Sequence, residues 1–472
     1  MPVTEVTNIA GLSREAFINR MKDQYLPIWP DALNQQKVLM GFINKKVGTI
    51  IGGKRSLSSV MVEFSQSAGI ALFEDDTLPS PQPPSYENPE IFARAIYGRV
   101  RFTGHVERAA RAGQSAVWAR PVREQLTSAR KQWQLNRNRM GYLGPSQILG
   151  TVSAAADGPP GTITLHGRDA RTSANNDRFK FGAQYLRNKM SIGIIRRTGG
   201  GDVDENGTLN DPMSLAANEV TVKNLDKSDA DAPTFDLGDA TATQTDKDLT
   251  TSIAATANNA LVVPFRSRID AIGAPSTVFD SEFAGPNGLL NIIADETDRT
   301  FLYSIDRTLQ TFLKGNVFRN NGIPVPFSED RLTLAVDRTA ENDAGEGEQD
   351  CILAHSSMRR EYIKETKGDR RFDEVQTRKG WGQLQFTAGS TLLPIFTDRD
   401  CPPGLLFVLD KSSFGWFQES AIHMPDDGER FVANKDSREV VLVESGNCAS
   451  KTPASNAIID DQIYSVSGLV DA

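Results

Sequence analysis

Apolar and polar positions along this chain follow two periods, and the period changes by segment. Val60, Val62 and Phe64 alternate with Met61 and Glu63, and residues 59–77 read as strand. The run Leu78-Pro79-Ser80-Pro81-Gln82-Pro83-Pro84-Ser85 has few backbone donors and reads as an exposed, extended loop. Alternation returns from Ile91 to Phe102, with Ile91, Ala93, Ala95 and Tyr97 expected on one face. Strand, proline-rich tip and strand describe a long two-stranded excursion. Such a hairpin is marginal alone, so it is expected to lie on another surface.

Helical spacing takes over at Val122, Leu126, Ala129, Trp133 and Met140. Pro121 suits the first turn, and Gly141 and Gly144 supply the stop. At ~1.5 Å per residue the helix from Pro121 to Met140 is about 30 Å long. Its polar face is expected to carry Arg123, Arg130, Lys131, Arg137 and Arg139. A second helix is expected from Asp298 to Lys314, with Phe301, Ile305, Leu309 and Phe312 on one face. A third spans Ser357–Lys367, and a short one lies near Arg14–Asp23 in an irregular arm. Between 155 and 270, short β-prone runs (Thr162–Leu165, Ser191–Ile195, Val220–Val222, Ala260–Val263) alternate with turn-forming residues. They suggest a small β-sandwich or barrel, with a long disordered acidic loop as the alternative. Late strands are expected at Leu392–Thr397, Leu405–Leu409, Val440–Val443 and Ile463–Leu469. The whole reads as α+β without internal repeats.

Composition adds little until it is divided by segment. The 472 residues carry 52 Lys+Arg against 60 Asp+Glu, a net charge of -8. Residues 94–140 hold ten Arg and Lys131 against Glu107 and Glu124, so 11 − 2 gives +9. Residues 200–260 hold twelve Asp/Glu against Lys223, Lys227 and Lys247, so 3 − 12 gives -9. Two solvated faces are one reading; complementarity between domains or subunits is the other. Cys351, Cys401 and Cys448 are far apart, which fits a reducing compartment and no zinc framework. The N-terminus lacks the basic and apolar regions of a secretory signal, and no apolar run approaches a membrane span.

Catalytic patterns are nearly silent. Gly48-Thr49-Ile50-Ile51-Gly52-Gly53-Lys54 imitates a phosphate loop, but Arg55 stands where Ser or Thr should hold magnesium, and strand rather than helix is expected next. His105, His166, His355 and His423 lack metal-ligand spacing, and Asp460-Asp461 reads as a solvated turn. No catalytic residue, cofactor or metal is expected. Trp118 and Trp133 among arginines could suggest single-strand nucleic-acid binding. Trp133, however, falls on the apolar stripe and reads as core.

Taken in order, the segments resemble the major capsid protein of tailed double-stranded DNA phages, whose fold is shared with encapsulins and herpesvirus capsid floor domains. The resemblance rests on Arg101-Phe102-Thr103-Gly104-His105-Val106-Glu107-Arg108-Ala109-Ala110 between loop and helix, and on Asn136-Arg137-Asn138-Arg139-Met140-Gly141-Tyr142-Leu143-Gly144 at the helix exit. It also rests on Gly285-Pro286-Asn287-Gly288-Leu289-Leu290, Gly389–Asp398 and Pro403–Asp410. It implies an N-terminal arm over 1–58, an extended loop over 59–102, and a spine helix with the start of a peripheral domain over 103–154. A β-rich acidic insertion would follow over 155–270, an axial domain with flanking peripheral segments over 271–400, and returning peripheral strands over 401–472.

The same resemblance implies a structural shell protein, not an enzyme, forming hexamers and pentamers of an icosahedral head around double-stranded DNA. Its place would be the virion capsid, assembled in the host cytoplasm, with no membrane partner. Inter-subunit contacts are expected from Arg94, Arg99, Arg101, Arg108 and Arg111, and from Glu74, Asp75 and Asp76. Lys45, Lys46, Lys54 and Arg55 are expected to face DNA. No lysine occurs between Ser56 and Arg130, so the loop-lysine cross-link of some family members is chemically unavailable. The short arm implies a separate scaffolding protein, beside a portal and a decoration protein. Two alternatives stay open: an encapsulin-like shell, and a β-rich hydrolase or carbohydrate-binding protein.

Overall fold

The structure is a computed structural model. It describes residues 38–47, 55–57, 59–63, 83–103, 115–144, 148–156, 161–166, 183–198, 201–204, 220–227, 232–239, 260–264, 285–296, 301–320, 323, 325–342, 349–365, 385–388, 391–423, 429–431 and 436–462. The expected helix at Arg14–Asp23, residues 78–82 of the proline-rich run and the strand Ile463–Leu469 lie outside these residues.

The chain enters through a short helix, α1 (Val38–Phe42), and strand β1 (Asn44–Val47). Strands β2 (Arg55–Leu57), β3 (Val60–Glu63), β4 (Ser85–Glu87) and β5 (Glu90–Phe92) follow. They pair antiparallel as β2 with β5 and β3 with β4. Next come β6 (Arg94–Thr103) and the long helix α2 (Ser115–Leu143). Ile91 is buried as expected, but Ala95 and Tyr97 are exposed. The alternation slips by one residue between β5 and β6, which turns Ile96 and Val100 inward onto Trp133.

The described residues from 150 to 264 form mainly strands, as the β-sandwich or barrel reading expects. Strands β7 (Gly150–Ala156), β8 (Thr162–Leu165), β9 (Ser191–Thr198), β10 (Gly201–Asp204), β11 (Val220–Asp226), β12 (Thr234–Asp239) and β13 (Ala260–Pro264) pair antiparallel throughout. Because β13 pairs with both β7 and β9, six of them close into a barrel, with β10 added on β9. The described strands between 150 and 264 thus form a small barrel. Closure leaves no edge in that ring. Val152, Ile163, Leu165, Ile192, Ile194, Val222, Phe235 and Val262 are buried and fill it, as their alternation in short strands requires.

Helix α3 (Leu289–Ile292) leads to strands β14 (Phe301–Leu302) and β15 (Ile305–Asp306), a 3-10 turn at Thr311–Leu313 and β16 (Asn316–Phe318). The helix expected over Asp298–Lys314 is therefore absent. Tyr303 and Ser304 both take positive φ and make a tight hairpin turn, leaving Leu309 76% exposed. Arg307 is fully buried instead and donates to the carbonyls of Asn291, Ile292 and Ala294, the unsatisfied end of α3.

Helix α4 (Glu329–Asn342), β17 (Cys351–Ala354), α5 (Ser356–Glu365), β18 (Gln385–Ala388), β19 (Thr391–Thr397), β20 (Leu406–Leu409), β21 (Phe414–His423), β22 (Glu429–Phe431), β23 (Ser437–Ser450) and β24 (Ala457–Ile459) complete the fold. One mixed six-stranded sheet runs β16-β24-β20-β17-β19-β18. Its central strands are buried on both faces. Ile352, Ala354, Leu406 and Val408 meet Leu332, Ala335 and Met358 of the two helices, while Cys351, Leu353, Phe407 and Leu409 join the main core. That double burial explains the unbroken apolar run at 405–409. In the five-stranded sheet, β23 pairs with β6 on one edge and with β21 and β22 on the other, and β1 runs parallel to β21. The described strands between 401 and 462 thus divide between two sheets. The fold class is α+β, as the patterning suggests.

Candidate assembly surface

The paired segments β2–β5 and β3–β4 form a two-stranded ribbon. Met61 faces Tyr86 across it, and these are 47% and 54% exposed. Phe92, at its base, is also exposed. The base itself is anchored: Glu90 N–H donates to the Tyr303 carbonyl at 3.0 Å, and Ile91 packs with Leu302, Tyr303, Leu313 and Phe417. The Asn447 amide donates to the Phe92 carbonyl at 2.9 Å. The ribbon is thus anchored at its base, and Gln310 reaches Glu87 on β4 at 3.4 Å, while Met61 and Tyr86 stay exposed.

Arg94, Arg99 and Arg101 all lie on β6, opposite Gly446, Val441 and Glu439 of β23, with Arg99 and Arg101 at positions of one face and Arg94 at a position of the other. The Arg101 guanidinium donates to Ser437 Oγ through Nε and a terminal nitrogen, at 3.0 and 2.7 Å, so part of its capacity is used within the chain. Arg108, Arg111, Glu74, Asp75, Asp76 and Lys54 lie outside the described residues. Lys45 and Lys46 occupy β1 beside Trp416 and Phe417, and Arg55 opens β2 opposite Phe92. Strand, not a phosphate-binding helix, follows Arg55.

Two buried polar joints hold α2. Sequence reading placed Arg137 on the polar face; it is buried. It pairs with the fully buried Glu444 of β23 at 2.7 Å and stacks 4.0 Å over the Trp416 ring. Burial pulls its pKa down, and the Glu444 charge opposes that shift. The Trp133 indole donates to the other Glu444 oxygen at 3.0 Å. Trp133 is therefore core, as its stripe position implied.

One turn on, Asn138 donates to Asp398 at 3.0 Å and to Asp400 at 2.8 Å. Its own amide oxygen accepts from Met40 N–H of α1. Asp398 also accepts from the Tyr142 hydroxyl at 3.1 Å and from Leu39 N–H. Burial raises the Tyr142 pKa well above its ordinary value, so the phenol stays a donor. Arg139, also read as solvent-facing, is half-buried and donates to Asn136. The barrel joins the same turn: Tyr185 donates to the Asp400 carbonyl, and Gln184 to those of Arg399 and Cys401.

These groups join elements and carry out no visible chemistry. The three cysteines are buried and unbridged, and burial pushes the thiols of Cys351 and Cys448 up to about 12. Among the described residues no three acidic, histidine or cysteine side chains gather as a metal site, and no helix is long and apolar enough to cross a membrane. Asp460 and Asp461 form a buried turn, not the solvated one expected: Asp461 N–H caps on Asp460, and Asp461 accepts from Asn320 N–H. Sequence reading missed the Met61–Tyr86 pair, Glu444 and Asp398. The strand period around Met61 was the one signal available.

No family model matches the sequence, and no curated protein matches it. Among solved structures, a chain of the Cyanophage A-1(L) capsid superposes with a TM-score of 0.51 at 10% identity, covering 93% of this chain and 96% of that one. The capsid of an empty GTA particle aligns with a TM-score of 0.44 at 7% identity over 94% and 95%. The SrpI encapsulin from Synechococcus elongatus aligns at 0.40 and 9% identity over 97% and 99%. The first of these likenesses shows that the chain shares the fold of that phage capsid chain.

Proposed function

We propose that this chain is a major capsid protein, self-assembling into hexamers and pentamers of an icosahedral phage head that encloses double-stranded DNA. The observation that carries the reading is the anchored ribbon with Met61, Tyr86 and Phe92 exposed along it. A two-stranded ribbon is marginal in water, and a neighbouring copy would supply the surface that covers it. Repeated head-to-tail, such a contact closes into a ring. The fold shared with a phage capsid chain supports the same reading.

In this reading the basic block at Arg94, Arg99, Arg101, Arg108 and Arg111 meets Glu74, Asp75 and Asp76 of an adjacent copy, and Lys45, Lys46, Lys54 and Arg55 face DNA. The barrel is an insertion on the shell subunit, its interior filled by apolar side chains rather than by a ligand. Assembly takes place in the host cytoplasm with a separate scaffold, a portal and a decoration protein. Negative-stain electron microscopy of the purified protein tests this: closed shells are expected, and monomers or small oligomers under all assembly conditions would overturn it. Nucleic acid inside the shells marks a phage head; an enzyme cargo marks an encapsulin-like compartment.

A further inference from the structure

The ladder between β6 and β23 stops at the pair Arg94–Gly446. Before Arg94 the chain leaves the body sheet, and β5 pairs with β2 to begin the ribbon. The next residue on β23, Asn447, stands at that exit. Its backbone pairs with Phe417 of β21, and its buried side chain turns to the ribbon: Nδ2 donates to the Phe92 carbonyl at 2.9 Å. A side-chain amide thus takes over where the backbone ladder ends.

The other end of the same amide meets the junction at the end of α2. Asn447 Oδ1 accepts from Asn287 N–H at 2.7 Å. Asn287 Oδ1 accepts in turn from Asn291 Nδ2 of α3 at 3.2 Å, and buried Arg307 donates to the Asn291 carbonyl. Gly288, the residue after Asn287, packs backbone to backbone on Gly144, where α2 ends. One neutral side chain therefore joins the ribbon exit, β23 and the junction below the long helix. The Phe92 carbonyl requires a donor and the Asn287 N–H an acceptor. The amide therefore has one orientation here, and a carboxylate, which only accepts, cannot replace it.

We propose that Asn447 is the positioning residue that sets the angle at which the ribbon leaves the body, and through that angle the curvature with which copies join. The second half rests on the reading of the ribbon as the contact between copies. At the base, Ile91 packs without directional preference, and Glu90 and Glu87 bond to Tyr303 and Gln310 of the 301–313 segment. The Asn447 amide gives the exit a directional tie to the body sheet itself. Lever length makes the angle matter. From Phe92 to Ser85, at ~3.3 Å per residue, the chain extends about 23 Å, so a tilt of ~10° at the base moves the far end by about 4 Å, a full side-chain contact distance.

The test is hydrogen exchange on the dilute, unassembled full chain, read at the Glu90 amide, together with electron microscopy of assembled material. Asn447→Asp keeps the shape and the acceptor for Asn287 but sets an oxygen against the Phe92 carbonyl. Val336→Ala, a small cavity under α4 in a separate core cluster, controls for lost stability. Exchange at Glu90 should rise about tenfold or more in Asn447→Asp and stay at wild type in the control. Shells of Asn447→Asp should be of shifted or mixed diameter, or open, while wild type and control give one diameter. Asn447→Ser, uncharged and too short to span both partners, makes the same comparison if the carboxylate prevents folding. Glu90 exchange at the wild-type rate in a folded Asn447 variant overturns the anchor. Loosened exchange with wild-type diameters overturns its control of curvature. Wild type that forms no shells overturns the shell reading and the curvature with it, and the exchange measurement still decides whether Asn447 holds the ribbon.

Discussion

Glu444 is fully buried, and it is tolerated there because Arg137 and the Trp133 indole meet its two oxygens. Glu444→Ala leaves the Arg137 charge buried and unpaired, so it should cost about 3–5 kcal/mol in chemical denaturation. Arg137→Met/Glu444→Leu should recover most of that loss; a single variant as stable as wild type would show that the pair is dispensable. His355 is the second test at this scale. Its ring is buried with Nδ1 2.8 Å from Ser357 Oγ. Its pKa is lowered from 6.5 to about 4, by burial first and then by Arg360 and Arg399, against Asp398. The unfolded chain therefore binds the extra proton between these values. Stability should be full above about pH 6.5 and fall by about 3 kcal/mol as pH drops to about 4. His355→Asn should flatten that part of the denaturant-midpoint profile; an unchanged slope would assign it to other groups. Position 137 was legible as part of the helix stripe by spacing from Trp133. Its charge argued for the surface because the partner strand is 311 residues away from Trp133 in sequence.

Elements were legible where burial follows one period. The long helix and the strands Thr162–Leu165 and Leu406–Leu409 follow their patterns closely. Helix α4 went unread although Glu329 and Asp330 open it, and Leu332, Ala335, Val336 and Thr339 keep helical spacing on its buried face. The opposite error occurred at 298–314. Phe301, Ile305, Leu309 and Phe312 keep that spacing by coincidence, and tertiary contacts to Tyr303 and Arg307 select a hairpin. Element junctions carry their own prediction. The long helix ends at Gly144, with φ +80, against which Gly288 packs backbone to backbone. A Cβ at Gly288 would meet the Met140 carbonyl at 2.6 Å and the Gly144 backbone. Neither can swing aside, so Gly288→Ala should destabilise by about 1–3 kcal/mol, read as a lower denaturant midpoint. An unshifted midpoint would mean the junction has slack.

For the whole molecule, the proposed shell role makes folding and association separable at the ribbon. Met61→Glu with Tyr86→Glu places like charges opposite each other on exposed positions and leaves every buried core untouched. Far-UV circular dichroism should stay at wild type while sedimentation shows shells replaced by small species; intact shells would place the interface elsewhere. The chain's own residues determined its alternation, its long helix, its β-rich insert and the split of its -8 charge into opposed blocks. These depend on neighbours within a few positions, where period and turn chemistry act. Tertiary structure alone decided that the insert closes into a barrel, that Arg137 and Arg307 turn inward, and that the described strands between 401 and 462 divide between two sheets. Each of those outcomes depends on a partner distant in sequence or on a buried group left unsatisfied, and a local pattern cannot specify either.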